Sequence, residues 1–211
     1  MRVGLRNLCL LCFSIPIITI FISFIWSANL NLINWCIPNF EGCTSISRVG
    51  RYEPVKYFFK PLMFIYTIFL YYFWKNFYEF ILKNEINLSK ILLFLAYCSI
   101  VFLVLYIIFL GEGDLYRFFR KVGIFVYIFF TVITQLVFSI RFKNTLEIKL
   151  KRKNYLFYYS VIITIMGVLL FPLAISEVEK INNFNNIISW NYFLLTQFYF
   201  LILFYILKKT K

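Results

Sequence analysis

The sequence predicts an all-α membrane protein: a six-transmembrane-helix bundle formed by residues 1–211 as one domain, with both termini cytoplasmic. Three observations predict it. The chain is 62% hydrophobic and 15% charged, against about 45–50% apolar and about 25% charged for a soluble domain. A soluble fold of this length cannot hide so much apolar surface, so lipid must be the solvent for most of it. The apolar residues fall into runs of about 20, and the basic residues collect between those runs.

The runs cover 8–28, 58–82, 90–110, 118–141, 156–175 and 187–207, and the one long connection is 29–57. Helices are expected, because a barrel strand would alternate polar and apolar residues and these runs do not. The first run has a basic start in Arg2 and Arg6. It is read as a retained span, since it is longer than a signal core and no small-residue cleavage site follows. With the amino terminus inside, the cytoplasmic segments hold 14 basic and three acidic residues and the opposite side eight and six. That leaves +11 inside and +2 outside, as the positive-inside rule requires. The single glycosylation sequon, at Asn87, then stays cytoplasmic and unmodified.

Charge also limits the partners. The net +13 sits in short flanking clusters and forms no continuous basic face with interleaved aromatics, so no nucleic-acid partner is expected. The densest cluster, "RFKNTLEIKLKRKN", links the fourth and fifth spans. Its Lys149, Lys151, Arg152 and Lys153 are candidates for contact with anionic lipid at the cytoplasmic face, or serve orientation alone. Within the second span, Lys75 is expected to snorkel and to pair with Glu79 at i,i+4. Gln135, deeper in the fourth, is expected to make an interhelical hydrogen bond. Phe and Tyr are read as facing lipid or neighbouring helices.

Catalytic vocabulary is sparse. The chain has no histidine, which removes the commonest general base and metal ligand. No cofactor and no metal site are expected, and no catalytic residue is assigned. Cys9 and Cys12 have CxxC spacing but lie in the apolar "NLCLLCFSI" and, with Cys98, read as buried hydrophobes. Cys36 and Cys43 flank "IPNFEG" in the outer loop and are a candidate disulfide if that side is oxidising. Glu41, Glu53, Glu112, Asp114, Glu177 and Glu179, with Arg48, Arg51, Arg117 and Arg120, fall on the outer face. They either coordinate a head group or form loop ion pairs worth about 0–1 kcal/mol each.

The outer loop, "NWCIPNFEGCTSISRVGRYEPVKYFFKP", is turn-rich and charged, and Pro61 is expected in the first turn of the second span. Ile46, Ser47, Gly50, Tyr52, Pro54, Lys56 and Phe59 follow the pattern I-S-x-x-G-x-Y/x-x-P-x-x-x-x-F. This resembles the first-loop signature of the DRAM family (damage-regulated autophagy modulators), their transmembrane-150 relatives and the fungal Sfk proteins. The superfamily also includes the amino-terminal half of the yeast cell-wall protein CWH and factors that remodel GPI-anchor lipids. Gly123, Gln135, Ser139 and Arg141 resemble the family's fourth-span run, and Trp190 its last-span tryptophan. Arg48 stands where the family has an acidic or small residue, Arg120 near its histidine, and Ser189 at its glutamate.

The resemblance implies six spans, this loop outside, and a non-enzymatic regulator of autophagy and lysosomes or of phosphoinositide and lipid organisation. Its partners would be membrane lipids and a membrane or cytoplasmic protein, and its location endolysosomal or plasma membrane, with Golgi or ER as further options. The alternative is a GPI-lipid remodelling factor or acyltransferase subunit. A small transporter is disfavoured, because no span carries deep ionisable residues or paired broken helices.

Overall fold

The computed structural model describes residues 2–83, 90–150, 154–175 and 182–209, with side chains at 2, 3, 144–150, 170–175, 182 and 209 excepted. Within them every regular element is helical: α1 (Arg2–Asn29), α2 (Pro38–Glu41), α3 (Ile46–Val49), α4 (Lys56–Leu82), α5 (Ile91–Ile108), α6 (Asp114–Leu150), α7 (Tyr155–Ile175) and α8 (Asn182–Lys209). Helix is what apolar runs must adopt in lipid, where every backbone N–H and C=O has to be satisfied within the segment.

Four stretches are long and apolar enough to cross a membrane: Gly4–Asn29, Ile91–Ile108, Asp114–Lys143 and Asn183–Lys208. They mark the chain as a membrane protein. The helix α4 has the length, at 27 residues, but its five tyrosines, three lysines and Glu79 lower its apolarity. In α7 the described apolar stretch is the shorter Tyr155–Leu169.

The six long helices form a closed ring in chain order. Each packs on its sequence neighbours, α1 on α4, α4 on α5, α5 on α6, α6 on α7 and α7 on α8, and α8 closes the ring against α1. The short connections make this order the easiest to build. Close approach of α5 and α6 depends on Gly123, where a Cβ would sit 2.9 Å from the Tyr106 backbone nitrogen.

Several elements run longer than the apolar runs predict, α1, α6 and α8 by the most. α6 continues past the continuous apolar run through "KNTLEIKL", since Leu, Glu and Lys propagate helix without needing lipid. α4 begins at Lys56, which corrects the expectation for Pro61: it lies inside the helix, beyond the first turn. The turn that starts α4 is set earlier, by Lys56 N–H donating to the Tyr52 carbonyl and Tyr57 N–H to that of Pro54.

One half of the ring is solid. Phe73, Trp74 and Phe77 of α4 meet Phe138 and Phe142 of α6 and Tyr199 and Phe200 of α8, all fully buried. Their ring centroids lie 4.9 Å apart for Phe73–Phe200, 5.0 Å for Trp74–Phe138 and 5.2 Å for Phe77–Phe138. Cys9 and Cys12 are fully buried, as small apolar residues should be. Gln135 Nε2 donates to the Thr196 carbonyl at 3.1 Å, the expected interhelical bond, and Ser139 Oγ donates to the Gln135 carbonyl at 2.6 Å. The expected Lys75–Glu79 pair is not formed. Lys75 points outward, whereas Glu79 is half-buried within the field of Tyr97 on α5, and an exposed pair at this spacing contributes too little to hold them together.

Candidate functional site

The other half of the ring is hollow and roofed by the outer loop. Residues 30–55 fold as a cap around α2 and α3, with Cys36 and Cys43 joined as a disulfide and their Cα atoms 6.4 Å apart. Pro38 sits at the start of α2, where a missing N–H is harmless, and Gly42 ends it at φ +64°. Any Cβ on Gly42 would collide with the Asn183 backbone carbonyl, so this turn needs glycine both for its φ and for its closeness to α8.

Three hydrogen bonds to cap carbonyls help fasten the cap to α8, beside one from Asn39 Nδ2 to Asn191 Oδ1 at 3.4 Å. Trp190 Nε1 donates to the Thr44 carbonyl at 2.9 Å, Asn186 Nδ2 to the Gly42 carbonyl at 2.8 Å and Asn191 Nδ2 to the Asn39 carbonyl at 2.8 Å. A fourth carbonyl bond ties it to α1, where the buried Ser27 hydroxyl donates to the Val49 carbonyl at 2.8 Å. Each of these four supplies a partner to a carbonyl of the loop or of its single-turn helices, which leave their last carbonyls without an intrahelical donor.

Under this roof lies a cavity of about 240 Å³, walled by all six long helices and by Ser45, Ile46 and Ser47 of the cap. It is larger than the apolar cavity of about 150 Å³ that accepts benzene. Its walls are mostly apolar, and Ile20, Phe59, Met63, Leu103, Ile128 and Phe193 contribute much of them. A polar group sits at one level: the Tyr66 and Tyr127 hydroxyls lie 3.3 Å apart, beside the Gln197 side chain. Tyr106 and Tyr192 also line the space.

The loop residues singled out in the sequence divide into three groups. Ile46, Ser47 and Phe59 line the cavity. Gly50 lies so close to the Phe59 ring that a Cβ would fall inside it, which seats α3 on the start of α4. Tyr52 packs on the core from the rim, and Pro54 is exposed after a cis peptide bond from Glu53. Lys56 forms an ion pair with Glu53 at 2.9 Å, and the Tyr57 hydroxyl donates to the same carboxylate oxygen at 2.9 Å. Lys56 and then Tyr57 hold the Glu53 carboxyl below the usual carboxylate range.

The outer charges do not gather as one site. Glu41 accepts the Ile37 N–H at 3.2 Å, and Glu112 and Asp114 are exposed. No three carboxylates or thiols come together as metal ligands among the described residues. Arg51 and Arg120, by contrast, share the surroundings of Tyr106 at the outer end of the cavity. Lys151, Arg152 and Lys153 lie outside the described residues, as do Asn87, Glu177 and Glu179, and for Lys149 the helical backbone alone is described.

What sequence reasoning missed is the role of the tyrosines. Phe and Tyr were expected mostly to face lipid or neighbouring helices; Tyr66, Tyr106 and Tyr127 do face neighbouring helices and in addition line the cavity. Their hydroxyls in mid-span were the available signal, because a phenol deep in lipid needs a partner. Comparison with family models, curated proteins and solved structures finds no match for the chain.

Proposed function

We propose that the protein is a six-span, non-enzymatic membrane protein of the DRAM-like type, with both termini cytoplasmic, that binds a membrane lipid beneath its outer loop. The four membrane-length helices leave α4 and α7 to complete the six, and the charge bias of +11 against +2 supports the orientation. The observation that carries the lipid reading is the placement of Ile46 and Ser47, from the loop signature, in the wall of an otherwise helical, mostly apolar cavity. A closed ring gains nothing from a hollow half unless something fills it, because voids forfeit packing.

The biological role belongs with lipid organisation or autophagy and lysosomes, and anionic lipid at Lys149, Lys151, Arg152 and Lys153 would hold the cytoplasmic face. The test is native mass spectrometry of the full chain released from detergent, with its location imaged at native expression through a small carboxy-terminal tag. A co-purifying lipid, lost when Ser47→Leu fills the cavity, is the expected result. A chain that carries no lipid sinks the reading. Endolysosomal residence would support the autophagy role and plasma-membrane residence the lipid-organising one. ER or Golgi residence with an altered GPI-lipid profile in a deletion strain would replace both with the remodelling alternative.

A further inference from the structure

Two guanidinium groups, a buried Arg120 and a half-buried Arg51, lie near the cavity-lining Tyr106, and neither is in an ion pair among the described residues. Arg120, on the second turn of α6, is 8% exposed. Its Nη1 donates to the Gly111 carbonyl at 2.7 Å, an atom that needs a partner because α5 has just ended. That bond occupies one of the five donors of a guanidinium. Arg51 follows Gly50, whose backbone lies against the cavity-lining Phe59, and its Nε is buried without a hydrogen-bond partner. Each guanidinium lies within the other's field, and Arg117 adds a third positive charge. The ion pair described among these residues is Lys56–Glu53, and neither Arg51 nor Arg120 takes part in it. Like charges held together out of water are costly unless an anion bridges them.

Tyr106 connects this pair to the hollow below. It lines the cavity, and its hydroxyl feels both Arg51 and Arg120. A planar guanidinium pair suits the oxygens of a phosphate or carboxylate, which accept parallel N–H donors. The cavity of about 240 Å³ below is apolar enough for one hydrocarbon chain.

Resting on the lipid reading above, we infer that the ligand is an anionic single-chain amphiphile, its head group held by Arg51 and Arg120 and its chain running past Tyr106 into the cavity. The neutral hydroxyl cluster at Tyr66, Tyr127 and Gln197 meets the chain farther in.

The experiment titrates the full chain in an uncharged maltoside detergent with three probes: dodecyl phosphate, dodecanol and inorganic phosphate. Dodecyl phosphate should bind at least tenfold tighter than dodecanol. Arg51→Gln and Arg120→Gln should each remove most of that advantage and leave dodecanol binding unchanged, and Arg120→Lys, which keeps the charge and a donor to Gly111, should restore part of it. Ser47→Leu should weaken both amphiphiles and spare the fold, as thermal unfolding without ligand will report. Equal binding of dodecyl phosphate and dodecanol overturns the head-group inference while the lipid reading stands. Inorganic phosphate binding as tightly as dodecyl phosphate assigns the arginines to a free anion and overturns the chain placement. Loss of binding by every probe overturns both readings.

Discussion

The same helix, α4, serves two opposite kinds of interior. Toward its carboxyl end Phe73, Trp74 and Phe77 interlock with aromatic rings of α6 and α8, and all are fully buried. Toward its amino end Phe59, Met63 and Tyr66 stand around an empty space under the cap. Composition does not separate the two halves, since both are built from the same aromatic and aliphatic residues. What differs is whether rings from facing helices reach each other. In the solid half they do, at 4.9–5.5 Å between centroids for four such pairs. In the hollow half the residues of α7 and α8, Gly167, Tyr192 and Phe193 among them, instead surround a space of about 240 Å³.

If that contrast is right, truncation in the solid half should cost most. Trp74→Ala should destabilise the protein by about 3–5 kcal/mol, as large-to-small changes in tight cores do, read as thermal unfolding in detergent. A loss below about 1 kcal/mol would mean the aromatic half is as loose as the other.

A second comparison isolates one hydrogen bond. Trp74 and Trp190 are both fully buried, but Trp190 Nε1 donates to Thr44 while Trp74 Nε1 has no hydrogen-bond partner. Trp190→Phe should therefore cost about 1–3 kcal/mol more than Trp74→Phe, the penalty for a buried carbonyl left alone. It should also expose the cap to limited proteolysis. Equal costs would show that the cap does not depend on α8.

In the hollow half, adding bulk should be tolerated. Ser47→Leu extends into open space, so unfolding should shift by less than about 1 kcal/mol, against about 1–3 kcal/mol for overpacking a filled core. A large destabilisation would show that the space is needed for packing of the cap.

The smallest effect concerns the rim. The Glu53 carboxyl titrates below its ordinary value because Lys56 and Tyr57 bond it. A depressed folded-state value gives stability that is present above the unfolded value and lost as pH falls through the folded one. Acidification below about pH 4.5 should thus loosen the rim slightly in the native chain and not in Glu53→Gln. The exposed position makes the difference small, and a steeper acid transition in the variant would reverse the assignment.

Sequence patterning locates the six long helices to within a few residues at most ends, because lipid demands long apolar runs and those runs are visible locally. It ends the fourth span at 141, whereas α6 continues to Leu150, since hydropathy reports contact with lipid and not helicity. The loop's charges and turns mark it as a folded unit, and Cys36 and Cys43 are paired within it. Its attachment to Trp190 is not legible, because partners separated by 146 positions leave no local pattern. The cavity is equally hidden: its walls come from six helices and the cap, a property of the assembled ring and of no single segment. Arg51 and Arg120 appear in the sequence as two among many outer charges, and folding alone brings them beside Tyr106.

The bond between Trp190 and Thr44 also sets a timetable. The cap emerges before its partner on α8, which follows 146 residues later. At about 5–20 residues per second, that interval is roughly 7–30 s, during which the loop waits with its carbonyls unclaimed and its cysteines accessible to oxidant. A chain that stops before α8 never closes its ring, so docking of the cap reports that α8 has arrived.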